Sequence, residues 1–115
     1  MIVDDEAALR NVLGEILAED FEVAMTASAR EAEQLMAQRH FDVVVCDHLM
    51  PGEVGLEFLV RTLERWPQVR RIMVTGYMNP ELISRSIGLA GLSACLLKPV
   101  RAGELVKAIH AALQG

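Results

Sequence analysis

The chain has 115 residues, 52% of them hydrophobic, and carries a formal net charge of −5. This length allows one globular domain with its own core and leaves little room for a second, so we expect a single domain over residues 1–115. The acidic balance and the lack of any basic stretch argue against direct binding of nucleic acid, because phosphate contacts need clustered Lys and Arg.

Acidic residues follow Met1 almost at once, and no apolar run approaches the roughly 20 residues that span a bilayer. We therefore expect a soluble, cytoplasmic protein with no membrane partner. Cys46 and Cys95 each lie in an apolar run, which is typical of free thiols in a reducing compartment. Neither cysteine has the spacing of a metal site or of a CxxC pair.

Short apolar runs alternate with segments of helical period five times along the chain, a pattern that predicts βα units around a parallel sheet. The predicted strands are Met1–Val3, Phe21–Met25, Val43–Cys46, Arg71–Val74 and Ala94–Leu97. The fold class is therefore α/β.

Three predicted helices carry an apolar stripe on one side. The stripe of the first helix is formed by Leu9, Val12, Leu13, Ile16 and Leu17. The stripe of the third is formed by Leu56, Leu59, Val60 and Leu63, and that of the last helix, over 101–113, by Leu105, Ile109, Ala112 and Leu113.

Capping signals predict where the other two helices begin. Ser28 and Glu31 have the spacing of a capping box at the start of the second helix. Asn79 followed by Pro80 predicts an N-cap and a first-turn proline for the fourth, which should end near Gly88.

Polar residues of complementary chemistry terminate four of the five predicted strands. The first ends in Asp4 and Asp5, the third in Asp47, the fourth in Thr75 and the fifth in Lys98. In open α/β sheets the site lies beyond the carboxyl ends of the strands, so these groups would share one cavity if the second strand is at the edge.

Such a cavity has a definite chemistry. Carboxylates a few ångströms apart repel by about 1 to 4 kcal/mol per pair, which invites a divalent cation, and oxygen-only ligands favour Mg²⁺. A carboxylate can also act as a nucleophile toward phosphorus. A magnesium ion, the Thr75 hydroxyl and the Lys98 ammonium would each stabilise the charge of a transferred phosphoryl group.

Taken singly, each residue also has a purely structural interpretation. Asp4 or Asp5 is as readily a helix N-cap, and Asp47 could simply begin the turn indicated by Pro51 and Gly52. Thr75 and Lys98 would, one by one, more often be a strand-end hydroxyl and an edge charge. The functional prediction depends on their occurring together.

The residues at these strand ends resemble the motifs of response regulator receiver domains over essentially the whole chain. The motifs are Ile2–Glu6, Val43–Gly52 with Gly55 following, Val74–Tyr77 and Leu96–Pro99. The resemblance implies a doubly wound, flavodoxin-like (βα)₅ fold, a five-stranded parallel sheet of order 2-1-3-4-5 and a cis Lys98–Pro99 peptide bond.

The resemblance also implies a role for each site residue. Asp47 would be the phosphoacceptor, with Thr75 and Lys98 binding the phosphoryl oxygens. Magnesium would be held by Asp47 and Asp5, by Asp4 largely through water, and by the backbone carbonyl of Leu49. The donor would be a histidine kinase or phosphotransfer protein, with acetyl phosphate as a substitute, and His48 would be a flanking surface residue.

One departure from the family pattern concerns the switch. Receivers usually place Tyr or Phe three residues before the lysine of the fifth strand, where this chain has Cys95. Tyr77 either replaces that ring in part or only covers the pocket. Leu49 and Tyr77 also occupy the two variable positions beside the phosphoryl site, and we hypothesise that this bulky pair excludes water and prolongs the phosphorylated state.

The main functional prediction is a Mg²⁺-dependent phosphorylation switch that catalyses only its own phosphorylation and dephosphorylation and is not otherwise an enzyme. The alternative is a constitutive protein-interaction module with an inherited acidic pocket, and a phosphatase or hydrolase ranks last. An effector domain or output protein and a homodimer stay open as partners.

Overall fold

A computed structural model describes residues 1–50, 53–76 and 79–114, with residues 49, 50 and 53 described by their backbone alone. The main sheet has five parallel strands in the order β2-β1-β3-β6-β7. They are β1 Ile2–Val3, β2 Met25–Thr26, β3 Val43–Asp47, β6 Arg70–Thr75 and β7 Ala94–Leu97. Counted within this sheet alone, the order is 2-1-3-4-5, so the predicted doubly wound arrangement is confirmed.

A short antiparallel ribbon follows β3 in the chain. It pairs β4, Leu49–Met50, with β5, Glu53–Val54. The turn predicted at Pro51 and Gly52 lies between these strands and outside the described residues. The ribbon was not predicted, because two-residue strands leave no periodic signal.

Five helices lie within the described ranges: α1 Ala7–Leu17, α2 Ala29–Gln38, α3 Gly55–Arg65, α4 Pro80–Ala90 and α5 Ala102–Gln114. Both predicted caps are present. Ser28 Oγ accepts from the Glu31 amide at 3.2 Å, and Asn79 Oδ1 accepts from the amides of Glu81 and Leu82 at 3.0 and 3.2 Å. None of the helices in the described ranges is long and apolar enough to cross a membrane.

The side chains of β3 alternate between two cores, one on each face of the sheet. Val44 and Cys46 pack on one face against α2 and α3, whose buried residues include Ala32, Met36, Phe58 and Leu59. On the other face Val43 and Val45 pack against α1 and α5, whose buried residues include Leu13, Leu17, Leu105 and Ile109. Each fully buried side chain of leucine size contributes about 1.5–3 kcal/mol, so these two layers stabilise the frame that carries the polar strand ends.

The prediction for the second strand was largely wrong. Only Met25 of the predicted range Phe21–Met25 lies in β2, which has two residues. Its partner β1 also has two residues. From the segment that precedes β2, the Ala24 carbonyl accepts a hydrogen bond from the Ile2 amide of β1 at 2.8 Å. Phe21 packs instead on the α1–α5 core, with its ring centroid 5.0 Å from that of His110.

Other boundaries and burial assignments also need correction. Helix α4 ends at Ala90, beyond the predicted Gly88, because Gly91 is the residue that adopts the left-handed conformation (φ 58°) suited to a C-cap. Val12 and Leu113, assigned to inward stripes, are 53% and 45% exposed. Those five- and four-residue stripes are wider than the surface that each helix buries.

Arg71 is a charged residue inside the core face that α3 and α4 cover. It is 4% exposed, and burial and the neighbouring Arg70 lower the pKa of its guanidinium. Its Nε donates to Ala90 O at the end of α4 (2.8 Å), and its Nη1 donates to Val69 O (2.7 Å) and to Trp66 O (3.5 Å). Arg71 therefore joins the carboxyl-terminal ends of α3 and α4, where a cation is favoured by the helix dipoles.

Replacing Arg71 should destabilise the fold, since the buried carbonyls would lose their donor. We expect Arg71→Met to lower the free energy of unfolding by at least about 2 kcal/mol in urea titrations followed by circular dichroism. The control is Arg85→Met, an exposed position on α4 that should change stability by less than about 0.5 kcal/mol. Equal stabilities of the two variants would show that water or the remaining structure satisfies these carbonyls.

Candidate functional site

The ends of four strands meet at one edge of the sheet. Asp4 and Asp47 each follow one residue after the paired positions Val3 and Cys46, so they lie side by side. Thr75 ends β6 opposite Leu97, and Lys98 follows Leu97 directly. The parallel register thus brings together the residue types that the sequence predicted would converge.

Backbone hydrogen bonds continue past the strands and fix these ends. The Asp4 amide donates to Thr26 O at 3.1 Å, the His48 amide to Val74 O at 2.8 Å, and the Lys98 amide to Thr75 O at 2.8 Å. The Lys98–Pro99 peptide bond is cis, as the resemblance implied. The polar side chains are therefore carried by well-anchored backbone.

Three carboxylates form the centre of the site. Ligand oxygens of Asp4, Asp5 and Asp47 all lie within 4.8 Å of one another; Asp4 and Asp47 are buried, and Asp5 is exposed. Burial raises the pKa of Asp4, and the charges of Asp47 and Asp5 raise it further, against lowering by the Glu6 amide and Lys98. Asp4 is therefore harder to ionise here than an ordinary aspartate.

Lys98 offsets part of this charge. Its Nζ donates to Asp47 Oδ2 at 2.9 Å. Burial alone would lower the pKa of Lys98, but the hydrogen bond to Asp47 and the negative charges of Asp47, Asp4 and Glu6 raise it overall. The ammonium therefore stays protonated at neutral pH, next to the carboxylate that it contacts.

The donor set suits a hard divalent cation. The three carboxylates supply only oxygen ligands, with Asp5 toward solvent, and Lys98 contacts Asp47 among them. Oxygen ligands with room for water are the environment that Mg²⁺ prefers. The backbone of Leu49 lies in β4, two residues after Asp47, whereas its side chain and all of Tyr77 fall outside the described residues.

An open cavity of about 450 Å³ adjoins the acids. Its polar rim includes Asp4, Glu6, Asp47 and Lys98, and its apolar floor is formed by residues of β3, β6 and α1 such as Val45, Val74 and Leu13. A second cavity, of about 410 Å³, lies at the amino ends of the strands and is lined by none of these acids. Only the first has the chemistry of the predicted site.

Gly55 controls the backbone on which Asp47 sits. Its amide donates to His48 O at 2.6 Å, and a Cβ at this position would overlap the Asp47 carbonyl oxygen. The motif included Gly55, but the sequence could not show this reason. A side chain here would push the first turn of α3 away from the end of β3.

His48 is buried, at 7% exposure, so the expectation of a surface histidine was wrong. Among the described residues, no hydrogen-bond partner is present for its Nδ1.

Arg10 is a further residue that the sequence analysis missed. From the first turns of α1 its Nη1 donates to Asp4 O at 2.7 Å. The only sequence signal was its place on the polar side of the α1 stripe.

Comparison with known protein families identifies the family of this chain. The family model of the response regulator receiver domain matches residues 1–110. The chain belongs to this family. Receiver domains are signalling modules of two-component systems.

Curated relatives are longer than this receiver. It is 36% identical over 114 residues to the hydrogenase transcriptional regulatory protein HoxA of Cupriavidus necator, covering 99% of this chain and 24% of HoxA. It is 31% identical over 111 residues to the DNA-binding transcriptional activator DevR/DosR of Mycobacterium tuberculosis, covering 94% of this chain and 51% of that protein. The chain thus spans about a quarter to a half of these relatives.

Solved structures match the fold closely. A CheY-like response regulator receiver domain protein from Methanospirillum hungatei has a TM-score of 0.91 at 32% identity, with 98% of this chain and 90% of that chain covered. The receiver domain of an HD domain-containing protein from Pseudomonas fluorescens has a TM-score of 0.91 at 28% identity, with 98% and 91% covered.

Substituting Gly55 tests the close approach to Asp47. We expect Gly55→Ala to lower the free energy of unfolding by at least about 2 kcal/mol, since backbone must shift to admit the methyl group. The control is Gly103→Ala in α5, where a Cβ meets nothing within 4 Å. The higher helix propensity of alanine should increase the free energy of unfolding there by as much as about 1 kcal/mol. Urea titrations of both variants measure these changes. A Gly55→Ala variant as stable as the wild type would contradict this account.

The raised pKa of Asp4 predicts a pH dependence of stability in the absence of metal. Its folded pKa exceeds the unfolded value of 3.8, so ionisation destabilises the fold progressively as pH rises from 3.8 through the folded pKa. Asp4→Asn, which keeps an acceptor for the Glu6 amide, should therefore stabilise the apo protein at pH 7 by on the order of 1 kcal/mol.

Thermal unfolding in EDTA at several pH values measures this effect. The gain from Asp4→Asn should shrink below pH 3.8, where the wild-type carboxyl is protonated in both states. A pH-independent gain, or none at pH 7, would contradict the assignment.

Proposed function

We propose that residues 1–115 form a single receiver domain that accepts a phosphoryl group on Asp47 in a Mg²⁺-dependent reaction. One observation carries the proposal. The buried Asp47 carboxylate lies 2.9 Å from Lys98 Nζ, while oxygens of Asp4 and Asp5 come within 4.8 Å of it. A nucleophile, a fixed cation and metal-binding acids thus occupy one sheet edge.

The reaction is a phosphoryl transfer to a carboxylate. An oxygen of Asp47 attacks phosphorus and forms the acyl phosphate P–O bond, while the P–N bond of a phosphohistidine breaks and its electron pair returns to the imidazole, which takes up a proton. With acetyl phosphate, acetate leaves instead. No oxidant or further reactant is required.

The residues around Asp47 match the charge that develops in this transfer. Magnesium, when bound by Asp4, Asp5, Asp47 and the Leu49 carbonyl, supplies positive charge for the phosphoryl oxygens. Lys98 is protonated and donates a hydrogen bond to Asp47. Its ammonium would donate to an oxygen of the incoming phosphoryl group. Thr75, which is 1% exposed at the end of β6, supplies a hydroxyl at the same edge.

The proposed role is signalling. The domain would catalyse only its own phosphorylation and dephosphorylation, with a cytoplasmic histidine kinase or phosphotransfer protein as donor. Because HoxA and DevR/DosR are named as transcriptional regulators, we propose that the phosphorylated state acts on an effector domain or output protein. A homodimer is one form that this output could take, and the acidic domain itself would not contact nucleic acid.

Intact-mass spectrometry after incubation with acetyl phosphate tests the acceptor. We expect a gain of one phosphoryl group that requires Mg²⁺, is lost in Asp47→Asn and persists in Asp20→Asn, an exposed acid outside the site. No gain with acetyl phosphate or any histidine kinase tested would overturn the proposal and favour a constitutive interaction module. Rapid release of inorganic phosphate without accumulation would instead point to a hydrolase.

A further inference from the structure

We propose that Arg10 is a positioning residue for the divalent cation, acting through the backbone carbonyl of Asp4 on the carboxylate of Asp5. The inference rests on the proposed function for its physiological meaning, but it can be tested by metal binding alone. Nothing in the receiver motifs at the strand ends assigns a role to this position.

The backbone at Asp4 is held at three points. Its amide donates to Thr26 O at 3.1 Å, its Oδ1 accepts from the Glu6 amide at 2.9 Å, and its carbonyl accepts from Arg10 Nη1 at 2.7 Å. The last bond is charge-assisted and half-buried, which makes it the strongest kind available to a carbonyl. The carbonyl belongs to the peptide that leads into Asp5, so Arg10 sets the orientation of that peptide.

Asp5 needs this support more than the other two acids do. Asp4 and Asp47 are buried, and each has a hydrogen-bond partner, the Glu6 amide and Lys98 respectively. Asp5 is exposed, and within the described residues no hydrogen bond or ion pair to its carboxylate is found. Its direction toward the cluster therefore depends on the backbone that carries it.

The start of α1 explains why an arginine is used. Glu6, the N-cap residue, makes no side-chain cap bond, so the first turn of the helix is not tied down in the usual way. The Arg10 amide donates to Glu6 O at 2.9 Å, and its side chain reaches back to the end of β1. One residue thereby joins the first turn of α1 to the strand that carries the acids.

The charge of Arg10 and its hydrogen bond to Asp4 O should have opposite effects on Mg²⁺ affinity, so the inference can be tested. A guanidinium bonded to Asp4 O adds positive charge near the acids that would bind Mg²⁺, so removing it would tighten binding if charge dominated. Losing the bond to Asp4 O would free the Asp5 peptide and weaken binding if position dominated. Since outer-shell partners of metal ligands typically contribute 10- to 100-fold in affinity, we infer that position dominates.

The experiment compares three variants of the full chain by calorimetric titration with Mg²⁺. Arg10→Met removes both the charge and the donor, Arg10→Gln removes the charge and keeps a shorter, neutral donor, and Arg10→Lys keeps the charge with a single point donor. We expect Arg10→Met to raise the dissociation constant about tenfold, Arg10→Gln to behave similarly, and Arg10→Lys to recover part of the loss. Arg30→Met, on the exposed side of α2, is the control and should match the wild type.

Phosphorylation by acetyl phosphate gives a second readout. For Arg10→Met the Mg²⁺ concentration at half-maximal rate should rise in parallel with the dissociation constant, while the rate at saturating Mg²⁺ stays within about twofold of wild type. Thermal unfolding in EDTA checks that each variant folds. If Arg10→Met does not, the Gln and Lys variants decide the question.

Several results would overturn the inference. Tighter Mg²⁺ binding by Arg10→Met and Arg10→Gln would show that charge outweighs position, and unchanged affinity would show that Arg10 does not position the ion. A lowered maximal rate at unchanged affinity would also exclude this role. A wild-type chain that binds no Mg²⁺ would also overturn it. A wild type that binds Mg²⁺ with the expected Arg10 dependence but gains no phosphoryl group would refute the proposed function and leave Arg10 as a metal-positioning residue.

Discussion

Repulsion among the carboxylates at one sheet edge is the constraint around which this receiver is organised. Parallel register makes Asp4 and Asp47 neighbours, and Asp5 follows at once, so burial and the neighbouring charges of Asp47 and Asp5 raise the pKa of Asp4. Lys98 relieves part of the repulsion through one bond to Asp47. The stability that tolerates this arrangement comes from the two apolar layers that enclose the sheet. A divalent cation bound here would offset this charge.

The sequence predicted the parts of this edge that depend on local pattern. A strand of apolar residues ending in Asp, Thr or Lys can be recognised by itself, and the parallel βα order then brings the ends of β1, β3, β6 and β7 together without further information. The edge strand was harder to predict because its length is set by pairing: Phe21–Ala24 has strand composition, but β1 offers only Ile2 and Val3 as partners. The end of α4 depended in the same way on which glycine, Gly88 or Gly91, adopts a positive φ.

Residues whose role depends on side-chain reach could not be predicted. His48 follows the strand end and was expected at the surface, yet its side chain is buried. The sequence analysis assigned no role to Arg10 or to the side chain of Arg71. Their function lies in the carbonyls that they contact, Asp4 O in one case and Ala90 O in the other. Hydropathy patterns describe which side chains avoid water, but they contain no information on which backbone oxygens a long cation will reach.

The two ends of α4 are held by different kinds of contact. At its carboxyl end Arg71 donates to Ala90 O from inside the core, and Gly91 packs on Leu63 of α3. At its amino end the cap is exposed Asn79, close in sequence to Thr75. Cys95 lies half-buried in β7, beside Met73 on the same face of the sheet. It places a small thiol where receivers usually have an aromatic side chain. In the part of the chain that the structure describes, α4 is thus joined to the core at its carboxyl end by Arg71, and its amino end is capped by an exposed residue.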